Sequence, residues 1–170
     1  MAHVTYVLPL AISVNKLHRT AVNRKTNKPY VYKTKEAKQY THDVYYNNLD
    51  KRVLFKEAWL YMIISPRLYK SSKKEQKRRV DIDNYNKLVF DSLQGLAFEN
   101  DTVIKGNGHD FGEAVVGGKI TVEAFDNEVE YRGWRINWDN EKLSKLNTKN
   151  VIDNGNPPQH RIMIHEMGDN

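Results

Sequence analysis

Asp81 and Asp83 stand two residues apart, with Lys87, Asp91 and Asp101 following them. In an extended backbone, side chains at i and i+2 point to the same side. Two carboxylates held that way repel unless a cation or a proton sits between them. Their hard oxygens suit Mg2+, which keeps several waters and takes one or two carboxylates. Lys87 comes four residues after Asp83, about one helical turn. An ammonium there can pair with Asp83, reach a phosphate oxygen, or orient a water beside a metal that lowers that water's pKa. Ahead of the acids lies a basic run, Lys70, Lys73, Lys74, Lys77, Arg78 and Arg79, opposed only by Glu75.

Each of these residues also has a plainer use. Asp83-Asn84 before an apolar-periodic run makes an ordinary helix cap. Asp81 can favour the helix dipole. Lys87 and Asp91 form an i, i+4 pair, and Asp101-Thr102 can be a turn. Spacing alone therefore supports a candidate metal site and nothing finer.

Several elements must position these residues. Residues 5–10 read as a short strand with Pro9 near its end. Ser13-Val14-Asn15-Lys16 is turn-like. Residues 18–27 are basic and read as part of a hairpin whose second arm is Pro29-Tyr30-Val31-Tyr32. Thr34 caps a predicted helix over about 34–49, with Ala37, Tyr40, Val44, Tyr45 and Leu49 near helical spacing. The apolar run Ala58-Trp59-Leu60-Tyr61-Met62-Ile63-Ile64 is the strongest strand candidate. Residues 67–79 carry almost no apolar side chain and read as a solvated, mobile loop.

A second helix is expected over about 84–96, its buried face made by Tyr85, Leu88, Val89, Ser92, Leu93 and Leu96. Gly95 is expected to end it early. Strands follow over about 102–110 and 119–125, linked by residues 112–118. The order of elements predicts an α+β domain, a mixed sheet with two main helices packed on one face. Asp101 can return to Asp81 only if the strand after it lies beside the strand feeding Asp81. Residues 1–125 are expected to form this domain. Residues 126–170, where Tyr131, Trp134 and Trp138 mix with charge and Asn154-Gly155-Asn156-Pro157-Pro158 breaks regular structure, read as a partly disordered C-terminal appendage.

The 170 residues are enough for one domain with a real core. Without cysteine there is no disulfide framework, no zinc site built on thiolates and no thiol nucleophile. No apolar run approaches the roughly 20 residues of a membrane span, so no membrane partner is expected. Met1-Ala2-His3-Val4-Thr5 lacks the basic start of a signal peptide. A net charge of +6 and a pI near 9.3 fit a polyanionic partner, because each phosphate neutralised releases counterions.

The run from Arg79-Val80-Asp81-Ile82-Asp83-Asn84-Tyr85-Asn86-Lys87 to Asp91-Ser92-Leu93-Gln94-Gly95, followed by Asn100-Asp101-Thr102-Val103, resembles the RusA family of Holliday junction resolvases. Upstream, Leu8-Pro9-Leu10 and Ser13-Val14-Asn15 resemble that family's opening strand and turn. The resemblance covers about residues 4–125. It implies a RusA-like fold and a crossover junction endodeoxyribonuclease acting in recombination and repair. It puts metal-binding acids at Asp81, Asp83 and Asp101, a catalytic lysine at Lys87, and supporting roles at Asn84 and Asp91. It implies Mg2+, with Mn2+ as an alternative, and a cytoplasmic setting in a bacterial or phage-infected cell. A homodimer is implied too, and suits a four-way junction, whose two-fold symmetry calls for two active sites.

On this reading Lys73, Lys74, Lys77, Arg78 and Arg79 hold DNA through its phosphates, with Lys16 and Arg19 adding to that surface. His18, Arg24, Lys25 and Lys28 extend it. Three features depart from the family pattern. Its acidic pair appears here as Asn100-Asp101. Ala11-Ile12 replace prolines, and the tail after Phe125 has no counterpart. Two rival expectations stay open: an endonuclease for other branched DNA such as forks or flaps, and a catalytically decayed junction-binding protein.

Overall fold

The apolar run at Ala58 forms the strand on which the sheet is built, β4 (Ala58–Ser65). The structure, a computed structural model, describes residues 2–10, 17–68 and 83–154, with the backbone alone at 83–84 and 147–154. β4 is buried almost throughout because it has a neighbour on each side and side chains packed on both faces. β8 (Lys119–Phe125) pairs with it antiparallel, and β6 (Ile104–Phe111) pairs parallel. β1 (His3–Pro9) closes the far side on β8, so the order is β1-β8-β4-β6. β6 and β8 lie close in sequence but not side by side in the sheet, since β4 lies between them.

Alternation along the strands makes two faces. On one, Leu60, Met62, Ile64, Ile120, Val122, Ala124, Tyr6 and Leu8 meet Ala37, Tyr40 and Val44 of α1 (Lys35–Asn47) and Leu88, Val89 and Leu93 of α2 (Asp83–Leu93). Thr34 caps α1 as predicted, its Oγ1 accepting the Ala37 N–H at 3.2 Å. The Tyr40 hydroxyl donates to the Pro9 carbonyl at 3.0 Å and Asn48 Nδ2 to the Val7 carbonyl at 3.3 Å, so α1 is stitched along β1.

α2 is shorter than predicted. It ends at Leu93, because Gly95 takes φ +80° and turns the chain away. Leu96 is buried but lies outside the helix. Its carbonyl accepts the Val53 N–H at 2.9 Å, and the Ala97 carbonyl accepts the Phe55 N–H at 2.7 Å. The strand expected at 102 starts at Ile104, behind a short 3-10 turn, Asp101–Val103. A small parallel ladder joins β5 (Arg67–Leu68) to β7 (Val115–Val116), two residues each and too brief for periodicity to show.

The second face of the sheet explains two glycines. Gly106 and Gly108 of edge strand β6 pair with Trp59 and Tyr61. A Cβ on Gly106 would lie 2.9 Å from the Trp59 ring, and one on Gly108 would lie 2.8 Å from both the Tyr61 ring and the Tyr131 hydroxyl. The aromatic rings occupy the space that side chains on β6 would need.

Beyond Phe125, where the sequence predicts no regular element, stands α3 (Glu128–Asn154). The chain falls into two compact units, Met1–Arg132 and Gly133–Asn170. Tyr131, in the first unit, is buried edge-on against Phe125 at 6.0 Å between ring centroids. In the second unit Trp134 and Trp138 stack at 5.7 Å. Among the described residues no helix is long and apolar enough to cross a membrane.

Gly108→Ala is expected to cost about 1–3 kcal/mol in urea denaturation, as overpacking does; no loss would contradict the aromatic cover. A pH dependence also follows. Burial pushes the Tyr6 hydroxyl from its ordinary value near 10 up to about 12, and raises Tyr40 and Tyr85 as well. As pH rises past 10 the unfolded chain ionises first, so stability is fully present below that pH and falls up to about 12. Tyr6→Phe should flatten part of that fall, and an unchanged slope would assign it elsewhere.

Candidate active site

Asp83 is the first residue of α2 rather than the cap before it. A carboxylate in the first turn suits the helix dipole. Positions 83, 87 and 91 recur every four residues and so share one side of the helix. The opposite side holds buried Leu88, Val89, Ser92 and Leu93. Lys87 is exposed one turn along. Asp91 does not pair with Lys87. Its Oδ2 accepts from Lys33 Nζ at 3.3 Å. That contact spans 58 residues of sequence, so local spacing gave no sign of it.

Lys33 ends a two-stranded ribbon, β2 (His18–Val22) with β3 (Pro29–Lys33), the hairpin the sequence predicts. Arg19 is exposed on β2, directly opposite Tyr32. The Thr34 N–H donates to the Leu17 carbonyl at 2.9 Å and closes the ribbon's base.

Asp101 lies across the crossover. Asn100 takes an extended backbone and caps the 3-10 turn, its Oδ1 accepting the Thr102 N–H at 2.7 Å. The amide at position 100 therefore does a backbone job that needs only a side-chain oxygen, and an aspartate would supply one equally well. Asp101 is exposed on that turn. β6 follows and does lie beside β4, the neighbour relation that the sequence argument required. The parallel register pairs Ile104 with Ala58, so Asp101 sits at the starting end of β4. The chain leaves β4 toward Asp81 from the other end, at Ser65. α2 spans about 16 Å at 1.5 Å per residue, and Asp83 and Asp101 bracket it.

Asp81, Lys16, Lys73, Lys74, Lys77, Arg78 and Arg79 lie outside the described residues, and Asn84 is described by backbone alone. Among the described residues no three His, Asp or Glu side chains group as a metal site. The donor chemistry nevertheless fits a hard cation. Asp81, Asp83 and Asp101 offer carboxylate oxygens only, and Asp101 makes no ion pair among the described residues.

The family model described as endodeoxyribonuclease RusA matches residues 12–123, a span that contains the acids, Lys87 and the ribbon. No curated protein matches the chain. For the capping turn, Asn100→Ala should cost about 1 kcal/mol of stability while Asn100→Asp costs almost nothing. Equal losses from both, in thermal or urea unfolding, would show that the turn does not depend on an acceptor at position 100.

Proposed function

The chain belongs to the RusA endodeoxyribonuclease family, and on that premise we propose that it resolves four-way DNA junctions by paired, divalent-metal-dependent cuts. The observation that carries this reading is the family match running through Asp81-Ile82-Asp83-Asn84, Lys87 and Asp101. Hydrolysis adds water across one P–O bond of the backbone on each of two strands.

Asp81 and Asp83 would hold the cation, Mg2+ or Mn2+, and Asp101, about a helix length away in the same chain, would complete the set from the second copy of a dimer. Such a cation supplies Lewis acidity and a more acidic bound water. The Lys87 ammonium offsets the negative charge that builds on the phosphoryl oxygens. Asp91 acts at one remove, by holding Lys33 and with it the base of the ribbon. Asn84 supports the start of α2. Lys73, Lys74, Lys77, Arg78 and Arg79 contact phosphates and so position DNA without reading its sequence. Lys16 and Arg19 add to that grip.

A homodimer matches the junction's two-fold symmetry and gives it two sites. The setting would be recombination and repair in the cytoplasm of a bacterial or phage-infected cell. The decayed-protein alternative draws on Asn100, and the hydrogen bond that residue accepts gives the amide a role in the backbone turn.

Asp81→Asn should bind a four-way junction as wild type does and lose at least about a hundredfold in cutting rate. Lys87→Ala should lose a comparable factor with binding retained. Matched fork and flap substrates in the same assay identify which branched DNA is preferred. Full cutting by Asp81→Asn would sink the site assignment, and preference for a fork or flap would sink junction resolution alone.

A further inference from the structure

The β2–β3 ribbon does nothing for the core. Of its strand residues only Ala21 is even partly covered. Tyr30 is 50% exposed, Val31 66% and Tyr32 40%. Tyr30 and Tyr32 are two apart on one strand, so they share a face, with ring centroids 5.9 Å apart. Across the ribbon Ala21 faces Tyr30 and Arg19 faces Tyr32. The turn is ordered: the Asn23 N–H donates to the Lys28 carbonyl at 2.9 Å, the Lys25 N–H to Asn23 Oδ1 at 2.9 Å. It presents Arg24, Lys25 and Lys28 to solvent.

The charge of this arm is one-sided. Residues 1–35 contain no Asp or Glu, while the ribbon and its turn carry Arg19, Arg24, Lys25, Lys28 and Lys33. A protein partner would have to be strongly acidic to match this charge. Nucleic acid answers both features: phosphates meet the cations and base faces meet the rings. In a continuous duplex the base faces are stacked inside. They are accessible where strands part.

Resting on the nuclease reading above, we propose that Tyr30 and Tyr32 form a stacking platform for unpaired bases at the branch point of the DNA, while Arg24, Lys25 and Lys28 at the ribbon turn hold the adjoining phosphates. The Lys33–Asp91 contact fixes the base of this arm to α2, one helical turn from Lys87. The arm thereby links the opened bases to the helix that carries Lys87.

The test uses the full chain with Ca2+ in place of Mg2+. The probes are a four-way junction carrying 2-aminopurine at the branch and a continuous duplex of the same composition. Tyr30→Ala/Tyr32→Ala should weaken junction binding at least about tenfold, given a stacking contribution of about 1–3 kcal/mol per base, and suppress the 2-aminopurine change. Duplex affinity and the salt dependence should stay as in wild type. Tyr30→Phe/Tyr32→Phe keeps the rings and should restore junction binding. Arg24→Ala/Lys25→Ala/Lys28→Ala should weaken both DNAs and lower the salt slope by about 0.9 per lost contact.

Three results would overturn the proposal: unchanged junction binding by the alanine pair, equal weakening of junction and duplex, or loss of self-association in sedimentation with DNA binding intact. The two readings also fail separately. A wild-type chain that shows the 2-aminopurine response but never cuts in Mg2+ keeps the platform and loses the nuclease. One that cuts junctions equally well with and without the two rings keeps the nuclease and loses the platform.

Discussion

The parallel pairing of β4 with β6 is the constraint on which the rest depends. Antiparallel neighbours can be joined by a two-residue turn, whereas parallel neighbours need a crossover of a dozen residues or more. Here that crossover holds the basic run, Asp81, α2 and the turn that presents Asp101. The candidate chemistry therefore lies in one connection that the sheet topology makes obligatory. α2 is held by Leu88, Val89 and Leu93 in the core, which frees its outer side for positions 83, 87 and 91. Burial on one side of the helix and charge on the other are two results of one packing arrangement.

β6 works under a second constraint. As the edge strand it has one neighbouring strand among the described residues, and its second face is covered by rings from β4 and from the first turn of α3. Gly106 and Gly108 let those rings approach the backbone. Tyr131 makes α3's first turn part of the nuclease unit, since its ring closes over Phe125 and Gly108. Packing on this face fixes the strand whose leading turn presents Asp101, so core substitutions there can disturb a residue they do not touch.

Local patterns were legible, and distant partnerships were not. The β4 run, the Thr34 cap and the hairpin could be read because each signal lies within a few residues. So could the early end of α2, since Gly95 announces its own conformation. Asp81 and Asp83 stand out by spacing, but spacing leaves a metal site and a helix cap both open, and the proposal of a metal site rests on the long motif around them. Lys33–Asp91 was invisible, because no rule of spacing joins residues that far apart. α3 was missed although Tyr131, Trp134 and Trp138 recur at helical intervals; the charge and Gly133 between them masked the period. The role of Asn100 needed the backbone itself, since an amide in place of an acid reads as a loss until the hydrogen bond it accepts is seen.

The central claim is that Asp101 and the Asp81–Asp83 pair serve one cation; because they bracket α2 within one chain, the proposed dimer must bring Asp101 of one copy to the pair of the other. Iron-directed cleavage tests it most directly. With Fe2+ in place of Mg2+, ascorbate and peroxide, a bound iron cuts nearby backbone, and fragment masses locate the cuts. The account predicts cuts both near residues 81–83 and near residues 100–101, lost together in Asp81→Asn and in Asp101→Asn. Cuts at one of these segments alone, or cuts near 100–101 that survive Asp81→Asn, would contradict it.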